Sequence, residues 1–313
     1  MLYPSITPDG HLQAIKAHLR QTTRYAEQTV QEIRAAAEES VSRLPALSGL
    51  QVQPVIHGSF RGEWVSCADG PGLPLGPGGQ VLLYYHGGGF ISGSCAICRD
   101  LAARLSAAGG IAVLTAEYRL APEFCYPAAG DDCLAAYRWL LEQGVSPADI
   151  ILGGDSVGAT LALMTLITLR EQGVKLPAGA CLLSPHADLV HLDGESYESR
   201  AAVDPTGSRE ANQRILVDYL GPYAGEMPAL LSPLRLDLQG LPPLLIQAGS
   251  LEVLLSDAER LAAKAQAAGN AVTLEVWENM WCSFQLLGAL LPEAQQAIDQ
   301  IGSFIKRTLG AAN

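Results

Sequence analysis

The sequence predicts an α/β fold with a mostly parallel central sheet covered by helices on both faces, and three observations lead there. Short apolar runs alternate with helical periodicity from residue 81 onward, two glycine-rich turns each follow such a run, and 49% of the 313 residues are hydrophobic, enough for a sizeable core. Strands are expected near 81–85, 111–117, 149–153, 179–184, 243–248 and 272–277, and helices near 98–108, 130–143, 157–172, 208–220, 257–268 and 292–308. Continuous apolar strands bounded by Gly and Pro are buried on both faces, as parallel strands are. Ligands of such a sheet gather at the carboxyl ends of its strands.

The flanking segments read differently. Leu12, Ile15 and Leu19, then Val30, Ile33 and Ala36, repeat at helical spacing before Pro45, so residues 1–45 are expected to form a helical entry segment. Residues 52–56 and 62–66 read as opening strands, and 69–79 as a turn-rich surface loop. Residues 189–235 interrupt the alternation with a polar stretch and the helix at 208–220, which suggests an insertion above the sheet. The core then comprises 46–188 and 236–313. An exposed 272–277 edge would invite pairing, so a homodimer through that strand is expected.

Net charge argues against some partners. At −12 the chain is poorly suited to nucleic acid or to anionic membrane surfaces. No apolar run approaches the roughly 20 residues needed to span a bilayer, and residues 1–10 lack a basic segment followed by an apolar stretch, so a cytoplasmic location is expected. Cysteines at 67, 95, 98, 125, 133, 181 and 282 do not form a disulfide pattern, and their odd count leaves a free thiol. Cys95 and Cys98 have the spacing of half a metal site, but no second pair completes it. Buried thiols without metal are the expectation.

The chemistry lies in two motifs. Gly154-Asp155-Ser156-Val157-Gly158 follows the strand near 149–153 and opens an apolar helix. Such a strand-to-helix turn needs glycine on either side and lifts the serine Oγ clear of the sheet as a nucleophile, with the Val157 N–H facing a bound acyl oxygen. His86-Gly87-Gly88-Gly89-Phe90 follows the strand at 81–85. Its glycines let backbone N–H groups of Gly87 and Gly88 approach the same oxygen, each donor to such an oxyanion being worth ~3 kcal/mol. His86 itself reads as structural.

With these motifs, Glu117-Tyr118-Arg119-Leu120-Ala121-Pro122-Glu123, Ser184-Pro185 with Asp188-Leu189, and Leu241-Pro242-Pro243-Leu244-Leu245-Ile246-Gln247, the chain resembles the hormone-sensitive-lipase-like esterases, bacterial family IV of the α/β-hydrolase fold. The resemblance runs from about residue 50 to 308. It implies a helical cap made of the N-terminal segment and the 189–235 insertion, an acyl pocket beneath it, and hydrolysis of short-chain carboxylic esters with no cofactor or metal. It also implies that Glu252, in Glu252-Val253-Leu254-Leu255-Ser256-Asp257, is the acid, with Ser256 or Asp257 capping the next helix. The family's histidine position, in Asn279-Met280-Trp281-Cys282-Ser283-Phe284, is held here by Cys282, and no histidine follows His191. Other departures gather nearby: Val157 for the usual Ala, Ala159 for Gly, Cys98 for His, and His186 after Ser184-Pro185 where Trp is common.

A base for Ser156 needs a pKa near the working pH, which an imidazole meets and a thiol at about 8.5 does not. A neighbouring Glu252 carboxylate disfavours the thiolate further. Three readings follow: an ester hydrolase with an impaired Ser156, Glu252, Cys282 triad, with His186 as the candidate alternative base; a small-molecule binding protein, as the plant gibberellin receptors of this family are; or a lyase, cyclase or acyl-transfer enzyme using the same pocket.

Overall fold

The computed structural model describes residues 1–42, 49–58, 60–67 and 79–310. The expected loop at 69–79, all but its last residue, and the expected boundary at 45/46 lie outside the described residues. Among the described residues, nine strands form one sheet: β1 Leu2–Tyr3, β2 Leu50–His57, β3 Phe60–Cys67, β4 Val81–Tyr85, β5 Ala112–Ala116, β6 Ile150–Asp155, β7 Gly179–Leu183, β8 Leu244–Gly249 and β9 Val272–Trp277. Their order is β1-β9-β8-β7-β6-β4-β5-β3-β2, and only the pairs β2/β3 and β3/β5 are antiparallel.

Period-two alternation divides the strands between two cores. In β4, Val81, Leu83 and Tyr85 face the larger core with helices α4 Ala128–Glu142, α5 Val157–Glu171 and α8 Leu255–Ala267. Leu82 and Tyr84 face the opposite core with α3 Cys95–Gly109 and α9 Pro292–Gly310. Because α5 is enclosed, Leu161, Leu163, Leu166 and Ile167 are all fully buried, and the helix reads as apolar around its whole circumference. No described helix is long and apolar enough to cross a membrane.

The N-terminal segment departs from the expectation of a pure cap. Its helices α1 Asp9–Thr22 and α2 Val30–Ser42 are where helical spacing places them. The residues before them join the core instead: Leu2 and Tyr3 pair with Val276 and Trp277, and Tyr3 stacks on Trp277 at 4.2 Å. Glu293, in the first turn of α9, accepts from Ser5 Oγ, the N–H groups of Ile6 and Thr7, and Thr7 Oγ1. Leu12 then packs with Met280, Trp281 and Phe284. β1 therefore covers only the Val276–Trp277 end of the outer side of strand 272–277, which shortens the edge on which a homodimer was expected.

The 189–235 segment carries the short helix α6 Ser196–Ser199 and α7 Arg209–Leu220. It meets the N-terminal segment through Arg214, whose guanidinium donates to the carbonyls of Tyr25 and Gln28. Tyr219 of α7 stacks on Phe90 at 3.8 Å, which seats the segment on the glycine loop after β4.

Candidate active site

The turn between β6 and α5 is as tight as its sequence requires. Ser156 sits at φ 53° and ψ −119°, a strained conformation held by its surroundings. A Cβ on Gly158 would lie 2.1 Å from Tyr85 O, and one on Gly154 would lie 2.5 Å from the Gly158 carbonyl, so only glycine fits at either position. Ser156 is partly exposed while Asp155 and Val157 beside it are buried.

Asp155 ties the neighbouring loops to this turn. Its Oδ1 accepts from the Gly87 N–H and from Tyr84 OH, both at 2.9 Å, and its Oδ2 accepts from Ser283 Oγ at 2.8 Å. The Gly87 N–H is thus spent within the protein, which corrects its expected role as an oxyanion donor. Among the described residues, the N–H groups of Gly88, Gly89 and Val157 have no protein acceptor. Gly88 and Gly89 lie at φ +111° and +64°, conformations that glycine tolerates. His86 is structural as expected. Its ring stacks on Tyr118 at 4.1 Å, its Nδ1 meets Gly87 O at 2.7 Å, and burial holds its pKa down.

Glu252 lies beyond the end of β8, fully buried. Its Oε1 accepts from the Gly249 N–H at 2.9 Å, whereas Oε2 is buried with no hydrogen-bond partner. Burial pushes the carboxyl up to about 8, with Ser184 and the Gly249 N–H pulling the other way. A carboxyl buried this deeply stays protonated near neutrality. Ser256 and Asp257 do not cap α8, correcting that expectation. Ser256 Oγ bonds Ser196, and Asp257 Oδ2 accepts from the N–H groups of Ala187 and Asp188. Ser256 therefore anchors the 189–235 segment, and Asp257 holds the two residues that lead into it.

Cys282 is partly buried against Leu192, Tyr197, Val253 and Leu254. Its Sγ is 3.7 Å from Ser283 Oγ. Burial, then the charge of Glu252, push the thiol well above its ordinary value. Because Ser283 bonds Asp155, residues 282–283 and 155–156 stand side by side, with Glu252 in reach of the thiol. Ser283 N donates to Ser184 Oγ at 3.0 Å, tying the same loop to the end of β7.

His186 lies beside the elbow, its backbone N–H donating to Ser156 O at 3.4 Å, but its ring is turned to other partners. It is 1% exposed, its Nε2 faces Tyr197 OH at 3.2 Å, and Asn212 Nδ2 donates to that hydroxyl at 3.0 Å. Burial pushes the imidazole down to about 3, and no hydrogen bond among the described residues joins its ring to Ser156. Cys95 and Cys98 open α3 as buried thiols, pushed up by burial, with Sγ atoms donating to the carbonyls of Thr115 and Cys95.

Sequence reasoning missed Asp155, Ser184, Ser283 and Gly89. The motif contained Asp155, but nothing in it reveals that both carboxylate oxygens face other loops.

Comparison with known proteins now bears on this geometry. A model of the alpha/beta hydrolase fold family matches residues 82–286. An acetyl-hydrolase of Streptomyces hygroscopicus is 41% identical over 85% of this chain and 87% of its own length. An esterase of Acinetobacter venetianus is 36% identical over 87% of each. A solved esterase of the bacterial hormone-sensitive lipase family is 37% identical and superposes with a TM-score of 0.89, covering 97% of this chain and 100% of the other. With its motifs at the carboxyl end of the same sheet, the chain belongs to the hormone-sensitive-lipase-like carboxylesterases of the α/β-hydrolase fold.

Proposed function

We propose that the chain hydrolyses short-chain carboxylic esters slowly, through an altered triad of Ser156, Glu252 and Cys282. The observation that carries the reading is the Ser156 elbow facing backbone N–H groups of Gly88, Gly89 and Val157 that have no acceptor of their own. Ser156 Oγ attacks the ester carbonyl, these donors hold the developing oxyanion, and collapse expels the alcohol to leave an acyl-serine that water then hydrolyses.

The weak point is proton removal from Ser156. A thiol raised above its ordinary value is protonated at neutral pH and cannot accept the serine proton, so that proton passes to solvent water and turnover is slow. Loss of the base in a comparable triad lowers kcat by roughly 10⁶-fold, leaving ~10³–10⁴ over water from the oxyanion hole and binding. His186 serves as an anchor of the cap, with its Nε2 occupied by Tyr197.

Hydrolysis of p-nitrophenyl acetate by the intact chain and by Ser156→Ala tests the reading. Slow turnover that Ser156→Ala abolishes is expected. Equal rates in the two proteins, or reversible binding of the ester without any hydrolysis, would overturn it.

A further inference from the structure

The glycine loop is gripped from above by one polar side chain. Tyr25, between α1 and α2, lies over Gly89, where an added Cβ would come within 3.2 Å of Tyr25 Cε1 and 2.9 Å of Ile215 Cγ1. The Tyr25 hydroxyl meets Ser92 Oγ at 3.0 Å, and Ser92 Oγ donates to Gly88 O at 2.9 Å. Since the Ser92 proton is used on the carbonyl, Tyr25 is the donor in the first bond. The same carbonyl also accepts from the N–H groups of Ile91 at 3.2 Å and Ser92 at 3.0 Å.

Peptide geometry turns these bonds into an effect on the site. Gly88 C=O and Gly89 N–H belong to one planar trans unit and point in opposite directions. Donors gathered on the oxygen therefore fix where the N–H points, and a chain of hydrogen bonds polarises the amide so that its N–H donates more strongly. Tyr25 also lies within electrostatic reach of Cys282 and Asp155. Its own carbonyl accepts from Arg214 Nη1 of α7 at 2.6 Å, so both parts of the cap converge on this residue.

We propose that Tyr25 is a positioning residue for the oxyanion hole, its hydroxyl acting through Ser92 to orient and polarise the Gly88–Gly89 peptide. Docking of the cap thereby completes the hole. The kinetic consequence rests on the ester-hydrolase reading, whereas the effect on the peptide does not.

The test compares Tyr25→Phe, which keeps the ring over Gly89 and removes only the hydroxyl, with Ser92→Ala and the double variant in the full chain. For p-nitrophenyl acetate, kcat is expected to fall about tenfold in Tyr25→Phe while KM changes less than about twofold and the unfolding midpoint is unchanged. The double variant is expected to be no slower than the slower single one, because the two groups act in series. The second readout needs no turnover. With glycine labelled at its carbonyl carbon and nitrogen, the spectrum is confined to amides that follow a glycine, and the Gly89 proton resonance is expected to move the same way in both single variants. An unmoved Gly89 resonance in Tyr25→Phe, or independent additive losses of kcat, overturns the relay. Absence of all turnover with a moved resonance would overturn the ester reading and leave the relay standing.

Discussion

Ser283 Oγ donates to Asp155 Oδ2 at 2.8 Å, so the residue after Cys282 is bonded to the residue before Ser156. Through its other oxygen, Asp155 also holds Gly87 N–H, and one carboxylate thus sets the spacing of elbow, glycine loop and base loop. Asp155→Ala is expected to cost on the order of 3 kcal/mol of stability, because buried Tyr84 OH and the Gly87 N–H lose their acceptor. Urea unfolding of the variant measures this, and a cost near zero would show that the loops hold their places unaided.

The missing base is open to restoration. Cys282→His would put an imidazole between Glu252, whose Oε2 lacks a partner, and the elbow. Turnover of short esters is expected to rise at least ~10²-fold and to increase with pH through the new imidazole pKa. The pH profile of kcat/KM for the variant checks both; a folded variant with no gain would show that the elbow has diverged beyond the base.

Much of the fold is legible in the sequence, for physical reasons. Five of the expected strands, β4 to β8, are largely apolar runs buried along their whole length, as parallel strands covered on both faces are, whereas β9 alternates through Thr273 and Glu275. β1 is not legible, because Leu2 and Tyr3 are too few to show a period and their partners Val276 and Trp277 lie at the far end of the chain. The Gly87 assignment fails for a different reason. Which of three successive glycine N–H groups is free depends on the Asp155 side chain, and residue spacing carries no such direction. Ser256 and Asp257 stand where helix caps are common, but Ser196 of the inserted segment takes the Ser256 hydroxyl and the N–H groups of Ala187 and Asp188 take the Asp257 carboxylate.

Buried acids predict how stability varies with pH. Burial raises Glu252 to about 8 and Asp257 to about 7, so the folded chain holds protons that the unfolded chain has released. Their contribution is complete below the unfolded carboxyl range and is lost as pH rises through the folded values. Between pH 6.5 and 8.5 stability is expected to fall by on the order of a few kcal/mol, since each tenfold difference in proton affinity between the folded and unfolded chain is worth about 1.4 kcal/mol. Glu252→Gln should flatten part of this fall. Urea midpoints across that range decide it, and a slope identical in the variant would remove Glu252 as the cause.

His186 acts in the opposite direction and at lower pH. Its pKa falls to about 3 in the folded chain, so the unfolded chain binds the extra proton as pH drops below the ordinary imidazole range. This opposes the gain in stability that Glu252 and Asp257 bring as pH falls, so His186→Gln is expected to make stability rise more steeply from pH 6.5 down to about 4.5 than in the parent chain. Thermal unfolding between pH 4 and 6.5 provides the comparison. The same pH dependence in the variant would place the effect on other groups.

Two glycines separate crowding from freedom. Gly158→Ala drives a methyl to 2.1 Å from Tyr85 O and is expected to cost more than ~3 kcal/mol or to prevent folding. Gly10→Ala, in α1 with nothing within 4 Å of the added methyl, should stabilise by ~0.5–1 kcal/mol. Unfolding midpoints of the two variants measure the contrast, and a tolerated Gly158→Ala would mean that the elbow can relax.

The pairing of β1 with β9 bears on the order in which the molecule is assembled. Leu2 and Tyr3 are synthesised long before Val276 and Trp277 that receive them, and residues 5–7 long before Glu293 that ties them down. Residues 2–7 therefore wait without these partners until β9 and α9 have been made, and the seam closes only then. A nascent chain that has β9 but not yet α9 lacks the carboxylate that ties residues 5–7 down beside that strand, so synthesis of α9 and protection of the Val276–Trp277 edge are coupled.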